Sequence, residues 1–148
     1  MNAPRLLRDP HGRWALAAAP VVWVLGYLWF APATDWAWPL HHPRELLILG
    51  LLYPLVEELL FRGVLQGWLR ERAALCHTFA GLSWANLLTS TLFTALHFIA
   101  HPPLAALAVF VPSLIFGHFR DRYGGLRAPI ALHMYYNTGY FWIFSGGA

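Results

Sequence analysis

Three short runs carry residues capable of hydrolytic chemistry, and each lies inside an otherwise apolar stretch. They are Glu57-Glu58-Leu59-Leu60-Phe61-Arg62-Gly63, Phe93-Thr94-Ala95-Leu96-His97 and His133-Met134-Tyr135-Tyr136-Asn137. An ionisable group at the centre of a bilayer-spanning helix costs at least about 2.5–3.5 kcal/mol, so such groups are treated as functional until shown otherwise. Residues four apart share a helix face, whereas adjacent ones point about 100° apart. Glu58 and Arg62 are therefore expected to pair, with glutamate on the favoured N-terminal side. Glu57 is left without a cation partner, as suits a general base that takes a proton from water and returns it. His97 and His133 can orient that water or donate to a developing oxyanion. Asn137, one turn beyond His133, offers a second neutral donor.

Elements able to hold these groups are legible in the composition. Of 148 residues, 58% are apolar and 11% charged, which falls outside the usual range for a soluble domain. A spanning helix needs about 20 mostly apolar residues, and the expectation is an all-α, polytopic transmembrane helix bundle of about five spans. These run from about Trp14 to Ala31, Leu46 to Leu69, Leu82 to Ala100, Leu104 to Phe119 and Leu126 to Phe144. They form a single integral membrane domain, 1–148, with a hydrolytic core at about 46–137. Pro112 makes the fourth span a candidate for a kink, and Pro102-Pro103 breaks the chain before it.

Every cationic residue is an arginine, and most lie between apolar runs. Arg5, Arg8 and Arg13, then Arg70 and Arg72, then Arg120, Arg122 and Arg127 fall on one side, which the positive-inside rule assigns to the cytoplasm together with the N-terminus. The arginines form no basic stripe, so the partners expected are membrane lipids and a membrane-associated protein or peptide substrate, with no nucleic acid. The tryptophans gather near the ends of the apolar runs, as interfacial rings do. The first span, with Ala31-Pro32-Ala33 after it, has the outline of a secretory signal. Its apolar stretch is longer than the usual signal core of about 7–15 residues, and a retained helix is expected. The lone Cys76 cannot form an intrachain disulfide.

In this order the three runs resemble the CPBP intramembrane protease family, which includes the CAAX prenyl endopeptidases and bacteriocin-processing enzymes. The family's motifs are Glu-Glu-x-x-x-Arg, Phe-x-x-x-His and His-x-x-x-Asn. Glu57, Glu58 and Arg62 match the first, Phe93 and His97 the second, and His133 and Asn137 the third. The stretch from Tyr123 to Ile130 also resembles the family's Gly-x-Leu-x-x-Pro-Ile lead-in. The resemblance implies a glutamic intramembrane protease at the bacterial inner membrane. Glu57 and His97 would activate water, His133 and Asn137 would form the oxyanion hole, and Glu58, Arg62 and Phe93 would support them. The family has also been described as metalloproteases, but the sequence has no His-Glu-x-x-His helix, and no cofactor is expected. A zinc-dependent form of the same hydrolase would use Glu57, His97 and His133 as ligands, but would consume the one unpaired carboxylate. A non-catalytic scaffold or immunity protein of the same fold is the alternative from another class; a transporter is disfavoured by the lack of a repeated half. His11, His41, His42, His77 and His101 are expected to be solvated, and Ser83, Thr89, Ser90 and Thr91 to be helix-packing hydroxyls.

Overall fold

In a computed structural model the chain is mostly helical, and residues 3–79 and 81–145 are described, with side chains from residue 6 onward. The side chain of Arg5, counted above, lies outside that set. The helices are α1 (Ala3–Arg8), α2 (Pro10–Phe30), α3 (Trp38–His41), a continuous helical run over residues 43–70 designated α4, α5 (Ala73–Cys76), α6 (Trp84–His97), α7 (Pro103–Ala108), α8 (Phe110–Tyr123) and α9 (Arg127–Phe144). Strands β1 (Thr78–Phe79) and β2 (Leu82–Ser83) pair antiparallel, with Thr78 opposite Ser83. This small hairpin was not expected from the sequence.

Each expected span has a helical counterpart. Among the described residues two stretches are long and apolar enough to cross a membrane, Pro10–Phe30 and Pro103–Tyr123. The fifth expected span, α9, does not meet that measure, and α4 and α6 differ for identifiable reasons. Helix α4 carries Glu57, Glu58 and Arg62 within its apolar part. Helix α6 has 14 residues, about 21 Å of rise against a hydrocarbon thickness of about 30 Å. It begins at Trp84 because Ser83 caps it, its hydroxyl accepting from the Asn86 amide at 3.0 Å. It ends at His97, so that histidine stands at the helix end rather than inside it.

Helix α4 is not uniformly α. Leu46–Leu52 and Leu59–Leu65 wind as π-helix, with α-helical Tyr53–Glu58 between them. In the first segment the Tyr53 amide bonds the Ile48 carbonyl, five residues back. The wider turn lies directly ahead of Pro54, whose ring would collide with the carbonyl four residues behind it in an α-helix.

The chain divides into two compact units, residues 1–55 with 134–148, and residues 56–133. In the first unit, small residues receive large ones. A Cβ on Gly139 would lie 2.2 Å from the Trp23 ring, and one on Gly26 would lie 3.0 Å from the Phe144 ring. Pro20 interrupts α2 and cannot supply an N–H to the Leu16 carbonyl four residues earlier. The Tyr135 hydroxyl donates there at 3.4 Å, and Tyr136 donates to the neighbouring Ala15 carbonyl at 2.6 Å. Ala31 closes α2 in the left-handed region, φ 42°, where the following Pro32 already disfavours helix. Beyond it, Thr34 donates to the Ile143 carbonyl at 2.9 Å. A hydrogen bond from His41 holds the Asp35 carboxyl below its usual range.

The second unit buries an unusual share of polar side chains beside Phe93, Phe116, Phe119 and Leu132, and leaves many leucines outside. Along α6 the buried stripe is Ala85, Asn86, Thr89, Ser90, Phe93 and Thr94, while Leu88, Leu92 and Leu96 are exposed. Glu58, Arg62, Gln66 and Ser113 are fully buried, and Leu59, Leu60 and Val64 on the same run face out. A soluble protein would arrange these residues the other way round. Leucine outside and hydrogen-bonding side chains between helices is the packing a lipid solvent selects. Gly117 permits the closest approach within this unit, for a Cβ there would meet Asn86 Oδ1 at 1.8 Å. Asn86 Nδ2 donates to the Leu114 carbonyl at 2.9 Å, and Gln66 Nε2 donates to the Gly117 carbonyl at 3.0 Å and to Asp121 at 2.9 Å. Asp121 also accepts from Ser83 at 2.6 Å and pairs with Arg70 at 3.3 Å.

Candidate active site

Glu57 and Glu58 lie in α4 where its α-helical section gives way to the second π-helical segment, and Arg62 sits one turn on. The expected pairing is present, with Arg62 Nε 3.4 Å from Glu58 Oε2 and both side chains fully buried. The guanidinium has other partners from α8, donating to the Ser113 hydroxyl at 2.5 Å and to its carbonyl at 3.0 Å. A buried ion pair requires such additional hydrogen bonds to offset the desolvation of both charges.

His133, on α9 and 5% exposed, stands between the two glutamates. Its Nδ1 lies 2.9 Å from Glu58 Oε1, and its Nε2 lies 3.5 Å from Glu57 Oε2. A carboxylate only accepts, so Nδ1 carries hydrogen and donates to Glu58. A second hydrogen shared between Nε2 and Glu57 would satisfy both atoms. Phe116 stacks on the imidazole with centroids 4.7 Å apart.

Phe93 is the aromatic centre of the site. It lies edge-on to His133 at 6.0 Å and beneath His97 at 4.4 Å, with the Arg62 guanidinium 5.7 Å from its ring. His97 is fixed by its own helix, its Nδ1 donating to the Phe93 carbonyl at 2.8 Å. That bond selects the tautomer and leaves Nε2 with a free lone pair, the form able to bind or activate water. Glu57 is 30% exposed, and both His97 and His101 lie within electrostatic range of it. The second unit thus brings together Glu57, Glu58, Arg62, Phe93, His97 and His133.

Asn137 belongs to the first unit. Its side-chain amide donates to the Leu49 carbonyl at 3.2 Å, a bond the sequence did not suggest. His101 is exposed as expected, yet its ring stacks on His97 at 5.5 Å with 20° between planes. Its spacing of four from His97 was the available signal, and the Pro102-Pro103 break hid it by marking the helix as already ended. Among the described residues no three His, Cys, Asp or Glu side chains converge so as to hold a metal ion.

An uncharacterized 24.3 kDa protein of Escherichia coli is 34% identical over 140 residues, covering 86% of this chain. The chain spans 62% of that relative's length. No solved structure matches it. The family model for type II CAAX prenyl endopeptidase Rce1-like proteins matches residues 39–139, a segment that contains every residue of the site. The membership expected from the three motifs is therefore established, and the chain belongs to the Rce1-like type II CAAX prenyl endopeptidase family.

Proposed function

We propose that this protein is a glutamic intramembrane endopeptidase that hydrolyses a peptide bond of a membrane-associated protein or peptide, in a bundle of about five spans in a bacterial inner membrane with a cytoplasmic N-terminus. The observation that carries the reading is the seating of His133 between Glu57 and Glu58, with the second carboxylate neutralised by buried Arg62. A helix-register pair alone would need only Glu58 and Arg62. It leaves unexplained a partly exposed Glu57 with three imidazoles, His133, His97 and His101, in its field.

In this reading Glu57 is the general base. It accepts a proton from a water molecule also held by His97 Nε2, and the water oxygen attacks the substrate carbonyl carbon. The carbonyl oxygen gains the electron pair and is met by hydrogen on His133 Nε2, with the amide of Asn137 the second donor that the family resemblance implies. When the carbon–nitrogen bond breaks, the proton held by Glu57 passes to the departing amine. Glu58 keeps the His133 ring oriented through Nδ1, Arg62 balances Glu58, and Phe93 sets the spacing of both rings. Oxyanion donors of this kind are worth about 10²–10³ in kcat, and general base catalysis about 10²–10⁴.

The test is to incubate the purified protein and its Glu57→Gln variant with membrane proteins from its source and identify the peptide termini that differ. Glu57→Gln is nearly isosteric, so it should insert and fold while turnover falls about 10²–10⁴-fold. Equal cleavage by both proteins would refute the proposal, and cleavage by neither would favour a scaffold. Loss of activity with a strong chelator, restored by zinc, would replace the base mechanism with the metal-dependent one.

A further inference from the structure

The contact between Asn137 and the Leu49 carbonyl has a cause that lies in the backbone of α4. Over Leu46–Leu52 the hydrogen bonds run five residues back, ending with the Tyr53 amide on the Ile48 carbonyl. The next bond in that register would run from residue 54 to the Leu49 carbonyl. Residue 54 is a fully buried proline, which has no N–H to give. A carbonyl left without its backbone donor in a water-poor site must find another or pay the desolvation of an unmade bond. Asn137 Nδ2 is that donor, at 3.2 Å. The approach is permitted by Gly50, the residue next to Leu49. A Cβ there would lie 3.0 Å from the hydroxyl of Thr138, the residue next to Asn137.

We infer that Pro54 is a positioning residue for Asn137: by withholding a hydrogen bond from the Leu49 carbonyl it creates the acceptor that fixes the asparagine side chain. A side-chain amide has two hydrogens on Nδ2. Binding one of them to Leu49 sets the amide plane and the direction of the other, the hydrogen assigned above to the oxyanion. The inference rests on that assignment for its effect on catalysis. Its effect on stability is independent of any activity.

Two substitutions and their combination test it. Pro54→Ala supplies the missing amide, which takes over the Leu49 carbonyl and releases Asn137. Asn137→Ala strands the carbonyl. Thermal unfolding of the full chain in detergent should show Asn137→Ala lowering the midpoint, and Pro54→Ala raising the midpoint more in the Asn137→Ala background than in the wild type. Turnover should fall about ten- to a hundredfold in Pro54→Ala with KM little changed, as for a misplaced catalytic group. In the Asn137→Ala background Pro54→Ala should cost no further turnover. Equal midpoint shifts in the two backgrounds would overturn the inference. So would a further loss of turnover in the double variant, which would show that Pro54 acts by turning Glu57 instead. If no Glu57-dependent cleavage exists at all, the proposed function fails while the unfolding comparison still decides this inference.

Discussion

At the scale of single residues, the buried Glu58–Arg62 pair sets the rank order of substitutions. Arg62→Met would leave Glu58 buried without its cation, and removing one member of a buried pair costs about 3–5 kcal/mol. Ser113→Ala removes one acceptor from the guanidinium but leaves the Ser113 carbonyl bond, so its cost should be nearer 1–3 kcal/mol. Thermal unfolding in detergent should therefore place Ser113→Ala between wild type and Arg62→Met, and the reverse order would contradict the pairing described. The Glu58–Arg62 contact was legible because both partners lie on one helix four residues apart. That His133 would stand between two glutamates was not, for the ring comes 75 residues later and nothing local announces its partner. Asn137 shows the complementary difficulty. Its motif spacing pointed to an oxyanion, while its bond to Leu49 depends on a π-helical register that hydrophobic periodicity does not encode.

At the scale of elements, the helices of the second unit are fitted by glycine and by polar side chains that reach across to backbone. Gly117→Ala would drive a methyl group into the Asn86 amide, which itself bonds the Leu114 carbonyl and accepts from Ser90 at 3.0 Å. Overpacking typically costs about 1–3 kcal/mol, and loss of the amide contacts adds to it. We expect Gly117→Ala to be markedly destabilised, with Gly125→Ala, where a Cβ meets nothing within 4 Å, close to wild type by the same unfolding measurement. The apolar runs placed the helices to within a few residues because apolar length is a local property. The break at Ser83 and the hairpin before it were missed. Their determinants are a capping hydroxyl and an aspartate 38 residues away, not a change in hydrophobicity.

For the molecule as a whole, the outward leucines and inward hydroxyls indicate lipid as the surrounding solvent, and the arginine distribution gives an orientation that can be read with a native probe. Cys76 is exposed and is the single cysteine of the chain. It follows Arg70 and Arg72 in the segment assigned to the cytoplasm. A membrane-impermeant maleimide should label it in inverted vesicles and leave it unlabelled in intact cells; the opposite pattern would reverse the topology. Membrane character was legible from composition, and family membership from three motifs in order. How many helices cross the bilayer was less so, since α4 combines an apolar exterior with a charged interior.

A recurring feature of the contacts is that the acceptor is a main-chain carbonyl, at Leu16, Leu49, Leu114 and Gly117, while the donor is a side chain from a distant helix. Such an acceptor is present whatever side chain the position bears. The pairing itself therefore constrains only the donor half, and comparisons among relatives should find Tyr135, Asn137 and Asn86 retained opposite positions free to drift, whereas Gly117, opposite Gln66, is held by its own close approach to Asn86. Methods that seek residues changing in concert would pass over these attachments, even though they are among the polar ties within each unit.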